Sequence, residues 1–339
     1  MVNITKALFA SGGLLLLAIL PVFFHSDPYI MGVLTLCLIW SMVAASWDLI
    51  VGYASVFAFA HLAFFVIGGY TSATLAVYAG VSPWIGMPVG GIVCASLGFL
   101  IGIPCLRLSG MYMGMVTFSI QFVLPTVIVW AGPGRFLNFS TGGSFGLHRI
   151  PPIEILGQAF SKAELVPSYY LAFAFFLVFI VGIYGVIRSR IGLAFVTIRD
   201  AENLAKSIGV DERKYKLMAF AISAFVAGAV GGFYAHYYGT ISPALLSLDA
   251  FLLAFMMVLL GGLGVFPGAV LGAFSVTILN ELLRPALLWR YIILGVIVIV
   301  TMITVPEGLM GIPALVRGRL SALRSTGLIG RRGDAAQDR

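Results

Sequence analysis

The sequence predicts an all-α, polytopic membrane protein of about ten transmembrane helices with both termini in the cytoplasm. Three observations carry that expectation. Only 10% of the 339 residues are charged and 60% are hydrophobic, with a mean hydropathy of +1.06; soluble domains carry about 25% charged residues. Apolar runs close to the length of a bilayer-crossing helix recur along most of the chain. The 20 basic residues are clustered, seven between Arg188 and Lys216 and six beyond Pro313. A soluble domain is excluded. The net charge of +7 belongs to membrane topology and not to nucleic-acid binding.

A helix needs about 20 mainly apolar residues to cross the hydrocarbon core. Spans are expected at 7–24, 29–50, 55–79, 84–105, 111–131, 167–187, 216–238, 249–264, 267–283 and 288–306. The first is apolar through Phe24 and has no small-residue cleavage site, so it is kept as a helix. The pair 249–264 and 267–283 is short, and forms either two spans or a re-entrant hairpin around Gly261, Gly262, Gly264, Pro267 and Gly268. Residues 1–312 make one transmembrane domain, with an outer loop at 132–166 and an inner loop at 188–216. The basic tail 313–339 has little apolar content and is expected to be disordered.

Orientation follows from the basic residues. With Arg188–Lys216 in the cytoplasm, Lys6, Arg107 and the tail also fall inside, for 15 basic residues against 5 outside (Arg135, Arg149, Lys162, Arg284 and Arg290). The opposite arrangement violates the positive-inside rule.

Ionisable residues within spans are functional candidates by default. Here they are Asp48, His61, His236, Asp249 and Glu281. Each is open to a second reading as a helix-end residue near the headgroups. Asp48 and His61 stand out because they flank the Gly52-Tyr53-Ala54-Ser55 break. No catalytic motif, proton-relay chain or metal-ligand spacing occurs, and Cys37, Cys94 and Cys105 sit singly in apolar runs. The chain contains no Gly-Lys dipeptide, so it cannot carry a GxxxxGK[ST] phosphate loop. It is expected to bind no cofactor, and any ATP must be used by a partner. Glycines spaced by four (Gly98/Gly102, Gly110/Gly114, Gly228/Gly232, Gly264/Gly268/Gly272) suit close helix packing, or else a subunit seam or substrate path.

The inner loop reads as structured. In TIRDAENLAKSIGVDERKYK (197–216), Thr197 and Asp200 fit a capping-box-like start. Ile198, Ala201, Leu204, Ala205 and Ile208 fall on one helical face, with Arg199, Glu202, Asn203 and Lys206 on the other. Glu202 and Lys206 form an i,i+4 pair. Gly209 is placed as a left-handed stop and Asp211 as the cap of the next helix. A helix of about three turns is marginal alone, so its stripe needs a surface: the parent protein, the lipid headgroups or a groove on a cytoplasmic partner.

Six segments then resemble, in order, the permease subunits of branched-chain amino acid ABC importers of the LivM type. They are IVGYASVFAFAHLAFFVIGGYTSA (50–73), LRLSGMYMGMVT (106–117), TGGSFGLHRIP (141–151), RDAENLAKSIGVDERKYKLMAFAISAFVAGAVGGFYA (199–235), ISPALLSLDAFLLAFMMVLLGGLGVFPGAVLGA (241–273) and VPEGLMGI (305–312). The resemblance implies a bacterial inner-membrane importer for branched-chain or related small amino acids. Its other parts would be a second, LivH-like permease, two cytoplasmic ATP-binding subunits and an extracytoplasmic binding protein. It implies coupling to the ATPase through Arg199, Asp200, Glu202, Ala205 and Gly209, and a pathway near Asp48, Tyr53, His61 and Tyr70. Where the family reads GYAGQLSLGHAAF, this chain has GYASVFAFAHLAF. The changes at Ser55, Val56, Ala58 and Ala60 remove two glycines and two polar side chains, which leaves urea or short amides open as substrates. A self-sufficient secondary carrier and a lipid-directed membrane enzyme using His61 and Asp48 are the remaining alternatives.

Overall fold

The computed structural model describes residues 2–108, 110–132, 140–155, 158–287, 289–305 and 308–311, with side chains from residue 12 onward. The tail 313–339, Arg135 with part of the outer loop, and parts of the VPEGLMGI segment lie outside the described residues.

The described chain is dominated by helices: α1 (Val2–Phe24), α2 (Pro28–Asp48), α3 (His61–Ala79), α4 (Pro83–Cys105), α5 (Gly110–Trp130), α6 (Leu165–Arg188), α7 (Arg190–Asp200), α8 (Glu202–Ser207), α9 (Glu212–Tyr238), α10 (Leu248–Gly261), α11 (Gly268–Leu282) and α12 (Trp289–Thr304). A π-helical turn, Leu49–Tyr53, continues α2. Among the described residues, six helices are long and apolar enough to cross a membrane: α2 with its π-turn, α3, α4, α5, α6 and α9. Shorter apolar helices, Gly12–Phe24, α10, α11 and α12, stand at the other expected positions. Local chemistry sets several ends. Pro28 and Pro83 occupy the first turns of α2 and α4, where a missing N–H costs nothing. Gly80 ends α3 in the left-handed region.

Two corrections to the expected elements follow. The third span starts at His61 instead of 55, and residues 54–60 are non-helical. Their backbone groups find other partners: the Trp47 indole N–H donates to the Ala58 carbonyl at 2.8 Å, and the Phe59 N–H donates to Thr117 Oγ1 at 3.0 Å. The Ala63 N–H, in the first turn of α3, donates to Gln121 Oε1 at 2.8 Å. Thr117 and Gln121 lie two to three turns into α5, so this irregular stretch lies well inside the bundle. Such backbone is tolerated at that depth only when protein or water satisfies it. The inner-loop helix is also interrupted. It starts earlier, with Ser189 capping α7 by accepting from the Ile191 N–H, and breaks at Ala201 (φ −153°, ψ 72°).

The centre of the bundle is α3, α4 and α9, packed at glycines. A Cβ on Gly68 would collide with the backbone of Gly228, and one on Gly90 would lie 2.7 Å from the Gly68 carbonyl oxygen. Gly98 and Gly102 of α4 face Ala224 and Leu217 of α9, while Gly228 and Gly232 face Cys94 and Met87. Tight packing within the subunit therefore accounts for those pairs; Gly110 has nothing within 4 Å.

Helices α10 and α11 form an antiparallel hairpin. At about 1.5 Å per residue each is little over 20 Å long, short of a hydrocarbon core of about 30 Å. The hairpin still runs the length of α2. Its turn at 262–267 sits against Asp48 and Tyr53, and Glu281 at the far end of α11 accepts from the Tyr29 hydroxyl at 2.6 Å. At the end of the bundle opposite the 188–216 loop, β1 (Leu147–His148) pairs with β4 (Thr240–Ile241), and β2 (Ile153–Ile155) with β3 (Gln158–Phe160). Buried His236 pins this layer. Its Nδ1 lies 2.7 Å from the Pro151 carbonyl, which can only accept, so Nε2 accepts from Ser72 Oγ at 2.8 Å.

Candidate functional site

The end of the bundle that carries the 188–216 loop holds the candidate site, in three parts. The first is the loop. Ile198 of α7 and Ala205 of α8 are buried, but Leu204 and Ile208 are 60% and 66% exposed. The single apolar stripe expected from spacing is therefore split, because the extended Ala201 rotates α8 relative to α7. Thr197 is not a cap: its hydroxyl donates to Leu193 O inside α7. The stop is as expected. Gly209 has φ +84°, and the Gly209 and Val210 N–H groups donate to Lys206 O at 3.1 Å and Ala205 O at 3.0 Å, a Schellman closure. Asp211 caps α9 by accepting from the Lys214 N–H at 3.2 Å.

Charge ties this loop together. Glu202 pairs with Lys206 at 2.9 Å, as the spacing predicts, and also with Lys216 at 3.2 Å. Glu212 pairs with Lys206 at 2.7 Å and with Lys216. The four groups alternate in sign and tie α8 to the first turn of α9. The hydrogen bond that Lys206 donates to Glu212, then that to Glu202, raises the Lys206 pKa above its ordinary value. Beside this cluster a cavity of about 840 Å³ opens, lined among others by Ser55, Phe57, Arg107, Glu202, Lys206 and Arg213.

The second part joins two candidate sets that sequence spacing kept apart. Arg199 turns inward from the loop. Its Nη1 donates to the Gly52 carbonyl at 3.2 Å and its Nε pairs with Asp200 at 2.8 Å. Asp48, 3% exposed, accepts from the Gly264 N–H at 2.8 Å. The Tyr53 hydroxyl accepts from the Phe266 N–H at 2.9 Å. Arg199 thus bridges the loop surface and this junction: it lies on the exposed side of α7 with its side chain 31% exposed, less than Asp200 at 60% and Glu202 at 46%, and its guanidinium reaches in to Gly52. Gly52, Gly264 and Phe266 were not singled out as site residues. Their only sequence signal is glycine density in VGYAS and GGLGVFPG.

The third part is apolar. His61 is buried; Ser46 gives its only hydroxyl proton to Val43 O at 2.9 Å, so His61 Nε2–H donates to Ser46 Oγ at 2.9 Å. Nδ1 is left to accept from Ser223 at 3.4 Å. The Trp47 ring stacks on His61 at 5.4 Å and meets Phe251 and Phe255. Tyr70 is also buried, in α3. An outward-facing groove of about 550 Å³ lies next to this cluster, lined by Phe57, Phe59, Met111, Gly114, Met115, Phe118 and Ser119. Asp48 and His61 each have protein partners of their own, and no group of three or more potential metal ligands occurs among the described residues.

Comparison with known proteins places this arrangement. Residues 29–302 match the family described as branched-chain amino acid transport system / permease component. The high-affinity branched-chain amino acid transport system permease protein LivM of Escherichia coli K12 is 29% identical over 301 residues, covering 81% of this chain and 68% of the relative. The LivM protein of Salmonella typhimurium LT2 matches to the same extent. The E. coli LivH permease is 28% identical over 127 residues, 37% of this chain and 41% of the relative. No solved structure gives a significant match.

Proposed function

The chain belongs to the branched-chain amino acid transport system permease family and is a multi-pass membrane protein, and on that premise we propose that it forms one half of the translocation pathway of an ATP-driven importer for branched-chain or related small amino acids. The family match over residues 29–302 carries this reading. The second permease is LivH-like, two cytoplasmic subunits bind and use ATP, and an extracytoplasmic protein delivers substrate. The chain itself supplies no catalytic group and holds no cofactor. It lies in the bacterial inner membrane with ten spans and both termini cytoplasmic, α10 and α11 serving as two short spans.

Coupling runs through the loop 190–209. Leu204 and Ile208 are apolar, exposed and held by an ionic cluster, which is what a partner's groove requires. Of the coupling candidates, Asp200 and Glu202 are surface groups, and Ala205 and Gly209 shape α8. The pathway follows the groove beside Phe57 and Phe118 at the seam with the second permease. Asp48, Tyr53, His61 and Tyr70 act from behind it by holding the 49–61 segment. Aromatic and methionine side chains there suit a branched aliphatic substrate. The changes at Ser55, Val56, Ala58 and Ala60 leave urea or short amides as the alternative substrate class for the same machine.

The test is to purify the chain from its native membrane and identify what accompanies it. The expected result is a permease pair with two ATP-binding subunits, and uptake that needs a binding protein. A homo-oligomer without an ATPase refutes the proposal.

A further inference from the structure

Three segments far apart in sequence meet where the half-exposed Arg199 reaches in, and the two glycines there, Gly52 and Gly264, have no spare volume. A Cβ on Gly52 would collide with Asp48 Oδ1 and the Gly264 N–H. A Cβ on Gly264, where φ is +68°, would lie 2.6 Å from Arg199 Nη1 and 2.6 Å from the Gly52 carbonyl oxygen. Buried Asp48 has no ion pair among the described residues and is held by the Gly264 N–H. The guanidinium therefore closes a knot: Arg199 to Gly52, Asp48 to Gly264, and Tyr53 to Phe266. Close packing makes such a contact all-or-none. If α7 moves, it carries Gly52 and the 262–267 turn with it, or the Arg199 bond breaks.

Both carried elements lead to the groove. The π-turn runs into residues 54–60, which hang on Trp47 and Thr117. The 262–267 turn ends α10, whose Phe251 and Phe255 pack on Trp47 and Phe59. We propose that Arg199 is a positioning residue for transport, a strut whose guanidinium transmits displacement of the α7–α8 loop to Gly52 and the 262–267 turn, a role that does not depend on touching the ATPase. This rests on the reading of the loop as the ATPase-coupled element. It differs from that reading in assigning Arg199 inward and in naming the elements that receive the motion.

The experiment uses the complete assembly in proteoliposomes, comparing the natural chain with Arg199→Gln and Arg199→Lys. Substrate moved per ATP hydrolysed is the readout, with ATPase stoichiometry measured on the same preparations. Arg199→Gln is expected to keep the ATPase bound at the natural ratio while the coupling ratio falls about tenfold or more, as for loss of one charge-assisted hydrogen bond. Arg199→Lys, which keeps a donor and the charge, is expected to recover most of that loss. An unchanged ratio, release of the ATPase, or a proportional fall in uptake and hydrolysis would each overturn the proposal. If Arg199→Gln does not insert, hydrogen exchange on the natural assembly decides. The Gly264 and Phe266 amides are expected to change protection between nucleotide-free and ATP-trapped states, and equal protection overturns the strut. If the natural chain brings no ATPase at all, the importer reading fails and the strut with it; a bound ATPase with natural coupling in Arg199→Gln fails the strut alone.

Discussion

Gly209 gives the cleanest test of how the loop is built. It holds φ +84° at the end of α8, and nothing lies within 4 Å of where a Cβ would stand. A substitution there meets no neighbour, so its cost is backbone strain alone. A left-handed backbone costs an ordinary L-residue about 1–2 kcal/mol, which is a factor of about 5–30 in the population of the closed turn. Asn tolerates the region better than Ala, and β-branched Val is the worst fit. The expected order of uptake in reconstituted transporter is therefore Gly, Asn, Ala, Val, with insertion and ATPase binding retained for Asn and Ala. The Val210 amide, which donates to Ala205 O at 3.0 Å, should exchange about 5–30 times faster in Gly209→Ala. Equal exchange in the two proteins, or an uptake order that follows side-chain size alone, would refute the reasoning.

Other expectations follow from the same geometry. Glu202→Lys removes one of the two carboxylates that pair with Lys206 and Lys216, leaving Glu212 among three like charges; uptake should fall while the protein stays inserted, and natural substrate-stimulated ATP hydrolysis in this variant would count against a coupling role. Because the Lys206 pKa is raised, its pairing contributes fully below lysine's ordinary value of 10.5 and is lost only as pH rises through the folded value. Uptake should thus show no loss attributable to this group as pH rises from neutrality toward lysine's ordinary value of 10.5, and a loss that Lys206→Arg abolishes there would contradict the assignment. Gly228→Ala places a methyl 2.6 Å from Cys94 Sγ and 2.9 Å from the Gly90 carbonyl oxygen; a thermal scan should show destabilisation of about 1–3 kcal/mol, and an unchanged midpoint would mean that α4 and α9 are not so close. A reporter fused after Arg339 should read cytoplasmic, and activity on the outer face would overturn the orientation.

Much of the fold was legible because its signals are local. Apolar length marked the long helices, and Gly209 and Asp211 declared a stop and a start through backbone chemistry within a few residues of themselves. The Glu202–Lys206 pair needed only helical spacing. The loop stripe failed for a definite reason: spacing assumes one continuous helix, and the break at Ala201 carries no glycine or proline to announce it. The third span failed similarly, since SVFAFA is as apolar as a helix interior, yet its backbone bonds go to Trp47 and Thr117.

The sequence by itself determined the membrane class, the order of the segments, the expected sidedness and the absence of an ATP-binding phosphate loop, because these depend on composition and on which residue follows which. Only the tertiary structure decided that Arg199 faces Gly52 and that Asp48 meets Gly264, 216 positions away. Periodicity reports the face of a helix, but not what that face will touch. An arginine on a polar stripe reads as wholly solvent-facing until another segment brings its guanidinium a carbonyl. That is why the two candidate sets, the loop and the Asp48–Tyr53 region, look separate along the chain and form one junction in the fold.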